Sequence, residues 1–291
     1  MTPEQMVMLR RLTAARGIAI ATGPTAGRSR NGDLELAYLD WGGGGPTAIF
    51  LHGGSLTAHT WDMVCAALSP GIRCIALDLR GHGDSGWSDD YRIETSVGDV
   101  IALADHLGPG QVHLVGMSLG GCVAGHAAGA LGGRMASLTF VDVAAQVVFE
   151  ASENMRRFMG GIGVVASIEA IAAKAQEASP RTDPDLLTYR YSTLMKPTAE
   201  GYVLKADRRE PPRFPHILSK LAELADLAPT VACPVLIARG GRSRVVTDAA
   251  AADFAGRFPR GAWTVIPDAG HNIQEDNPVA LAERLTAHIL G

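Results

Sequence analysis

Short apolar runs recur along the chain and end at turns marked by glycine or charged residues. Near-continuous apolar runs are typical of strands that are buried on both faces of a parallel sheet. These runs cover residues 34–41, 47–52, 72–78, 112–117, 137–143, 234–239 and 262–267. Segments with helical periodicity lie between most of them, at 57–68, 95–107, 119–131, 248–257 and 278–290. The alternation predicts an α/β fold in which helices cover both faces of a mostly parallel sheet.

The first two apolar runs, 34–41 and 47–52, are joined only by residues 42–46, whose sequence is GGGGP. This joint is too short for the crossover that parallel neighbours need. We therefore expect this edge of the sheet to be antiparallel.

The alternation stops between about residues 147 and 224, where the chain is helix-like, at 151–178, 183–195 and 198–208, and is punctuated by prolines. Because the strand pattern resumes at Cys233-Pro234, this segment is predicted to be a helical cap inserted between two strands of one sheet. Residues 1–25 are predicted to form an N-terminal helical arm, with Thr2 as N-cap and Pro3 in the first turn. The core of the fold then comprises residues 26–146 and 225–291.

The amino-acid composition limits the classes of protein to which the chain can belong. Of 291 residues, 47% are hydrophobic and 19% are charged, which suits a globular domain with a large core. A net charge of −4 favours neither nucleic acid nor an anionic membrane as a partner. The N-terminal segment is not expected to be a signal peptide, because Arg10 and Arg11 interrupt its apolar run, and we expect no membrane span. The cysteines, which are not spaced as CxxC, are predicted to be buried free thiols in a reducing compartment, the cytoplasm: Cys65, Cys74, Cys122 and Cys233.

The strongest chemical motif is the segment VHLVGMSLGG at 112–121, in which an apolar strand runs into Gly116-Met117-Ser118-Leu119-Gly120. This matches G-x-S-x-G. A strand that turns sharply into a helix crowds the residues two before and two after the apex, so both must lack side chains. The apex residue, Ser118, is then exposed at the carboxyl edge of the sheet beside a helix N-terminus, whose amides can stabilise an oxyanion. The pattern predicts a nucleophile.

Two further segments agree with this prediction. Residues 47–55 form a strand followed at once by His52-Gly53-Gly54-Ser55, whose glycines allow a backbone N–H to point into a cleft. Residues 265–271 form a strand, a glycine-containing turn and then His271, which can fold back over the sheet edge.

Taken together, HGG at 52–54, DLRGHGDS at 78–85, GMSLGG at 116–121 and PDAGH at 267–271 resemble the α/β-hydrolase family. The resemblance implies a mostly parallel eight-stranded sheet with an inserted cap, with Ser118 as nucleophile and His271 as base. It also implies that Leu119 and Gly54 donate their N–H groups to the oxyanion, with Ser55 as the alternative to Gly54. His82 is expected to be structural in its turn, and His52 to brace its loop by hydrogen bonding.

A serine–histidine pair needs a carboxylate to orient the imidazole. In most members of the family that acid lies three residues past the glycine of the strand here placed at 234–239. That position is Ser243, followed by Arg244, and neither can serve. We predict instead that the acid is Asp142, at the end of strand 137–143 and 24 residues after the nucleophile, an arrangement that resembles dehalogenases of the family.

Other acids stay open as alternatives, as does the absence of any acid. Asp248 is the nearest to the vacant position, but it falls in the first turn of a helix, where the helix dipole by itself favours an acidic residue. Asp268 and Asp276 lie three residues before and five after His271, where neither is well placed to meet the ring.

These residues predict a cofactor-independent serine hydrolase that acts on a small-molecule ester through an acyl-enzyme. A C–C bond hydrolase or a lactonase could use the same triad, and a ligand-binding protein with decayed machinery is the alternative outside enzymes. Histidine pairs with metal-site spacing are missing, so no metal is expected. Apolar residues of the insertion are candidates either for walls of the cleft or for the cap's own core: Met155, Phe158, Met159, Ile162, Tyr189, Tyr191 and Met195. Arg208, Arg209 and Arg213 are candidates for a substrate carboxylate or for a solvated cluster.

Overall fold

A computed structural model describes residues 1–148, 159–207 and 214–291. Within these ranges the strands are β1 (Thr25–Asn31), β2 (Leu34–Asp40), β3 (Thr47–Leu51), β4 (Arg73–Leu77), β5 (Val112–Met117), β6 (Met135–Val141), β7 (Met195–Thr198), β8 (Gly201–Leu204), β9 (Val235–Gly240) and β10 (Gly261–Ile266). The helices are α1 (Pro3–Ala14), α2 (Asp62–Leu68), α3 (Ile93–Leu107), α4 (Leu119–Leu131), α5 (Ile168–Ala178), α6 (Pro184–Leu194), α7 (Phe214–Leu227), α8 (Asp248–Gly256), α9 (Ile273–Asp276) and α10 (Pro278–Leu290).

Eight strands form one sheet in the order β1-β2-β4-β3-β5-β6-β9-β10. From β4 to β10 all neighbours are parallel, whereas β2 is antiparallel to both β1 and β4. The predicted fold class, a mostly parallel α/β sheet, is confirmed, as is its antiparallel edge. The direct pairing implied for 34–41 and 47–52 is wrong, because β4 lies between β2 and β3.

Helices cover both faces of this sheet, as the alternation predicts. Phe50 of β3 packs on one face against Trp61, with ring centroids 5.3 Å apart, in a cluster shared with α1, α2 and α10. The next residue, Leu51, belongs to the cluster of the opposite face, which α3, α4, α7 and α8 cover. Successive side chains of a strand point to opposite faces, so a strand buried on both must be apolar at every position.

Strand β1 does not have the apolar pattern and was not predicted from the sequence. The sequence of β1, TAGRSRN, is mostly polar, and only Ser29 in it is buried. It is an edge strand, paired on one side only with β2, and because most of its residues are exposed to solvent it needs no apolar run.

The segment between β6 and β9 contains helices α5, α6 and α7, but the helix predicted at 198–208 is wrong. A hairpin of β7 and β8 occupies most of this stretch, with Met195 opposite Leu204. Gly201 begins β8 at φ +136°, and a Cβ there would lie 2.3 Å from the carbonyl oxygen of Val165. The division of the chain into arm, core and cap stays a prediction.

The apolar candidates of the insertion are mostly buried. Ile162, Tyr189, Tyr191 and Met195 are each at most 3% exposed and join the same cluster as α1 and α2. They therefore pack in the interior, in a cluster that also contains residues of the sheet and of helix α10. Met159 is partly buried against this cluster. Met155, Phe158, Arg208, Arg209 and Arg213 lie outside the described residues.

Helix α1 begins as the sequence predicts. Thr2 is its N-cap and forms a capping box with Gln5, and Pro3 is in the first turn. The Gln5 side chain also donates to the Ser192 carbonyl oxygen at 2.7 Å, and Arg11 pairs with Asp185. These contacts fasten the N-terminal helix to α6 in the segment between β6 and β9.

No helix in the described part of the chain is long and apolar enough to cross a membrane. The four cysteines are buried and unpaired, as predicted.

Burial of His113 on β5 makes the stability of the fold depend on pH. Burial, with a smaller effect of His288, lowers the pKa of His113 to about 4. In the unfolded chain the pKa returns to about 6.5, so acidification below that pH protonates the unfolded state first. Stability is therefore lost as the pH falls from about 6.5 to about 4.

We expect His113→Asn to reduce this loss by about 3 kcal/mol over that pH range. Urea unfolding at several pH values measures the slope, and His106→Asn, which removes an exposed histidine, is the matched control. Equal slopes in the two variants would contradict the expectation.

Candidate active site

Ser118 stands between β5 and α4 with φ 50° and ψ −115°, which is a strained conformation for a residue with a side chain. The two glycines around it make this turn possible. A Cβ on Gly116 would lie 2.3 Å from the Gly120 carbonyl oxygen, and a Cβ on Gly120 would lie 2.2 Å from the Leu51 carbonyl oxygen. The backbone thus forms the predicted sharp elbow, and Ser118 at its apex is partly exposed.

Asp142 follows β6 and leaves the sheet beside this elbow. Strands β5 and β6 are parallel, with Met117 opposite Val141, so Ser118 and Asp142 are the next residues of neighbouring strands. Asp142 also has a positive φ of 50°, and its side chain is fully buried.

His271 lies in the turn between β10 and α9 and contacts Asp142. Its Nδ1 is 2.7 Å from Oδ2 of Asp142, and its side chain is 11% exposed. Because a carboxylate only accepts, Nδ1 donates to Asp142, and Nε2 is the ring nitrogen left for other chemistry. The structure therefore brings the predicted acid and the predicted base together from elements 129 residues apart in sequence.

The other acids considered have different partners. Asp248 is 65% exposed and pairs with Arg239 at 2.8 Å, at the start of α8. Asp268 is 83% exposed and lies 3.5 Å from Arg242. Asp276 accepts from the Gly270 N–H at 2.7 Å, which holds the turn that precedes His271.

Residues 52–55 form a loop that contacts the elbow. A Cβ on Gly53 would lie 3.3 Å from Cβ of Ser118, so the loop passes directly beside the serine. His52 braces it from within, as predicted, because Nδ1 donates to the Gly53 carbonyl oxygen and Nε2 accepts from the Leu79 N–H. Burial lowers the pKa of His52 to about 4, which keeps the ring neutral and able to accept.

The end of this loop is held by His82. The Ser55 N–H donates to Nε2 of His82 at 3.2 Å, while Nδ1 of His82 donates to the Arg80 carbonyl oxygen at 3.0 Å. Ser55 has φ 62°, a strained value for a serine. Because the Ser55 amide is already engaged, the contact favours Gly54 over Ser55 as an amide donor to the cleft.

Buried polar contacts hold the turn that carries His82, and the sequence indicates only some of them. Asp78 is buried and accepts from the backbone N–H groups of Ala58 and Asp84, and burial raises the pKa of Asp78. Arg80 forms a two-point ion pair with buried Asp99, at 2.6 and 2.7 Å. This supports the structural role expected for residues 78–85.

A cavity of about 220 Å³ adjoins the loop and the elbow. Its lining includes Gly54 and Leu119 together with Tyr91, Asp207 and His216. The Tyr91 hydroxyl donates to Asp207. Tyr91, Asp207 and His216 belong to no recognisable motif, so they could not be identified as cavity residues from the sequence.

A buried polar network connects α6 to the short helix that follows His271. Arg190 of α6 pairs with Glu275 of α9, and the Thr60 hydroxyl donates to Oε1 of Glu275 at 2.9 Å. Gln274 donates to the same Thr60 hydroxyl at 2.8 Å. Nearby, the Tyr189 hydroxyl donates to buried Asp62. No local pattern in the sequence indicates these pairings, because each joins segments that are far apart in the chain.

Comparison with known proteins agrees with this geometry. Residues 48–284 match the model of the alpha/beta hydrolase family. An esterase of Mycobacterium tuberculosis, Rv0045c, is 30% identical over 259 residues, which cover 85% of this chain and 84% of the esterase.

Solved structures agree as well. A structure of Rv0045c superposes with a TM-score of 0.80 at 27% identity and covers 99% of both chains. E-2-(acetamidomethylene)succinate hydrolase also superposes with a TM-score of 0.80, at 25% identity, over 92% of this chain and 100% of that one. These similarities support a hydrolase of the esterase type.

Proposed function

Because this chain belongs to the alpha/beta hydrolase family, we propose that it is a serine hydrolase that cleaves a small or medium carboxylic ester through an acyl-enzyme. The carrying observation is the 2.7 Å contact between His271 and the buried Asp142, at the sheet edge where Ser118 emerges. Esterase relatives support the same reaction class.

In the first half-reaction the Ser118 hydroxyl attacks the ester carbonyl, and Nε2 of His271 takes its proton. Asp142 holds Nδ1–H, which fixes the tautomer and stabilises the imidazolium that forms. The tetrahedral intermediate then collapses, the C–O bond to the alcohol breaks, and His271 returns the proton to the leaving alkoxide. The product at this stage is an ester between Ser118 and the acyl group.

In the second half-reaction a water molecule attacks the acyl-enzyme. His271 takes a proton from this water and later gives it to the Ser118 oxygen, which releases the carboxylic acid. All the groups required are side chains and backbone amides of this chain, and the proposal assigns no role to a cofactor.

The negative charge on the tetrahedral intermediate needs fixed donors. Leu119 is the first residue of α4, and amides in the first turn have no partner within the helix. Gly54 is the second proposed donor, and it adjoins the same cavity as Leu119. We propose that this cavity accepts the acyl or alcohol part of the substrate.

We expect His82→Ala to lower kcat for ester hydrolysis about tenfold and to leave KM nearly unchanged. The Ser55 N–H would lose its acceptor, and the loop that carries Gly54 would lose its fixed orientation. Steady-state kinetics with p-nitrophenyl acetate measure the effect, and His106→Ala, at an exposed position, is the control. A rise in KM at constant kcat would contradict this role.

A fluorophosphonate probe tests the proposed chemistry directly. We expect a single adduct in the intact mass of the wild-type chain and none in Ser118→Ala. A panel of p-nitrophenyl esters of increasing acyl length then defines the substrate range. An unlabelled wild-type chain would refute the serine hydrolase and favour a ligand-binding protein instead.

The remaining expectations belong to the same proposal. We propose that the segment at 147–224 caps the cleft and that the partner is a small molecule. The buried, unpaired cysteines support a reducing compartment such as the cytoplasm.

A further inference from the structure

After β8, the segment between β6 and β9 runs antiparallel to the turn that carries His82. The Gly83 N–H donates to the Lys205 carbonyl oxygen at 2.7 Å. On the other side of His82, the Asp207 N–H donates to the Gly81 carbonyl oxygen, also at 2.7 Å. Both distances are at the short end of the range for amide hydrogen bonds. The backbone at position 82 is therefore held on either side by this segment.

Side chains fasten the same contact. The Tyr91 hydroxyl donates to the carboxylate of Asp207. The Tyr91 ring lies over Gly81, where a Cβ would be 2.3 Å from Cε1 of the ring. Nζ of Lys205 lies 3.0 Å from Oδ1 of Asp84. Tyr91 thus connects the turn to the segment after β8, because its ring contacts the one and its hydroxyl contacts the other.

The side chain of His82 extends this contact to the loop at 52–55. Its Nδ1 donates to the Arg80 carbonyl oxygen at 3.0 Å, and its ring centroid lies 5.1 Å from that of His52. Its Nε2 accepts from the Ser55 N–H at 3.2 Å, which is at the long end of the hydrogen-bond range. A shift of the backbone at position 82 by a few tenths of an ångström therefore weakens the contact with Ser55.

We propose that Asp207 and Tyr91 are positioning residues for the proposed oxyanion donors. They hold the backbone of His82, and His82 in turn holds the Ser55 N–H and the loop that carries Gly54. The inference rests on the proposed function, since it concerns a donor to the oxyanion of that reaction. It also connects the segment between β6 and β9, which we propose as the cap, to the rate of the chemical step.

A direct contact with the substrate is the alternative role for these two residues, because both line the cavity that adjoins Gly54 and Leu119. The two roles differ in their kinetics. A contact made equally in the ground state and the transition state acts on KM, whereas a misplaced oxyanion donor acts on kcat. Only positioning through His82 requires that the His82 side chain be present.

Tyr91→Phe removes the hydroxyl that donates to Asp207 and keeps the ring over Gly81. We expect this variant to lower kcat for p-nitrophenyl acetate about fivefold and to leave KM within about twofold, because one hydrogen bond outside the reacting groups is lost. Asp207→Asn removes the charge of the acceptor and is expected to lower kcat as well. Steady-state kinetics measure both variants.

Tyr38→Phe is the matched control. The ring of Tyr38 also lies over a glycine, since a Cβ on Gly27 would be 2.2 Å from its Cζ. Its hydroxyl is likewise paired with a polar side chain, at 3.2 Å from Nε2 of His106. This tyrosine belongs to β2, beside the edge strand β1, and we expect kcat to stay at the wild-type value.

The decisive experiment combines Tyr91→Phe with His82→Ala. In His82→Ala the Ser55 N–H has already lost its acceptor, so the second substitution has nothing further to displace. We expect kcat of the double variant to stay within about twofold of His82→Ala alone. A merely structural tyrosine would lower kcat about fivefold in both backgrounds.

A fivefold loss that persists in the His82→Ala background would overturn positioning through His82, and so would a rise in KM at constant kcat in Tyr91→Phe. Unchanged kcat in both Tyr91→Phe and Asp207→Asn, with circular dichroism showing them folded, would also overturn it. These three results leave the proposed hydrolase in place when the fluorophosphonate probe labels Ser118. An unlabelled wild-type chain would refute that function itself, and the positioning role would fall with it.

Discussion

Replacing Asp142 with asparagine is expected to lower kcat by about 10⁴-fold and to leave KM within about twofold. The carboxylate of Asp142 accepts from Nδ1 of His271, and in the proposed mechanism it balances the imidazolium charge that forms when Ser118 loses its proton. An asparagine keeps the shape but removes the charge, and its amide hydrogens can face Nδ1 and favour the wrong tautomer. Steady-state hydrolysis of a p-nitrophenyl ester measures the loss.

Asp248→Asn is the matched control for this experiment. Asp248 is exposed and pairs with Arg239, so we expect its kcat to remain within about twofold of wild type. The assignment of the acid would be wrong if Asp248→Asn lost activity and Asp142→Asn retained it. Loss in neither variant would indicate a site that works without an acid.

The second large effect is on stability. We expect Arg190→Met to lower the free energy of unfolding by about 4 kcal/mol. Its partner Glu275 is only 5% exposed, so the variant leaves a buried carboxylate without its opposite charge. Urea unfolding followed by circular dichroism measures the change.

Two further variants test whether the loss of stability comes from an uncompensated buried charge. Arg92→Met removes an exposed guanidinium paired with Asp90 and is expected to cost less than about 1 kcal/mol. The double variant Arg190→Met/Glu275→Gln removes both buried charges and is expected to recover more than half of the loss. Equal effects of Arg190→Met and Arg92→Met would contradict a buried, uncompensated charge.

The Arg190 pair also has a consequence for the site. Glu275 lies four residues after His271 on α9, and Arg190 belongs to α6 of the segment between β6 and β9. We therefore expect loss of this pair to loosen the helix that follows the proposed base. The buried Thr60 hydroxyl also contacts Glu275 and holds it from the side of the core.

Much of the fold could be predicted from the sequence because its signals are local. Strands buried on both faces must be apolar at successive positions, and this marks β3, β5 and β9 without knowledge of their neighbours. The elbow at Ser118 is equally local, since the clash that excludes a side chain at Gly116 arises within five residues. Strand β1 was not predicted, because most of its residues are exposed and its sequence contains no apolar run.

The role proposed for Asp142 could be predicted from the sequence only in part. Its strand and its distance from Ser118 are readable from the sequence, and they sufficed to expect Asp142 at the same sheet edge. Its contact with His271 required the strand order, because β9 and β10 must follow β6 in the sheet for that histidine to reach back.

By itself the sequence determined the parallel α/β architecture, the serine elbow and the candidate residues of the site, since periodicity and turn sterics act over a few neighbouring residues. Only the tertiary structure decided which distant groups meet. The placement of β4 between β2 and β3, the hold of His82 on Ser55, and the hydrogen bond from Ser243 to Asp142 all depend on it. The physical reason is that a buried polar group takes whatever partner the folded chain brings within about 3 Å, and nothing local in the sequence records that partner.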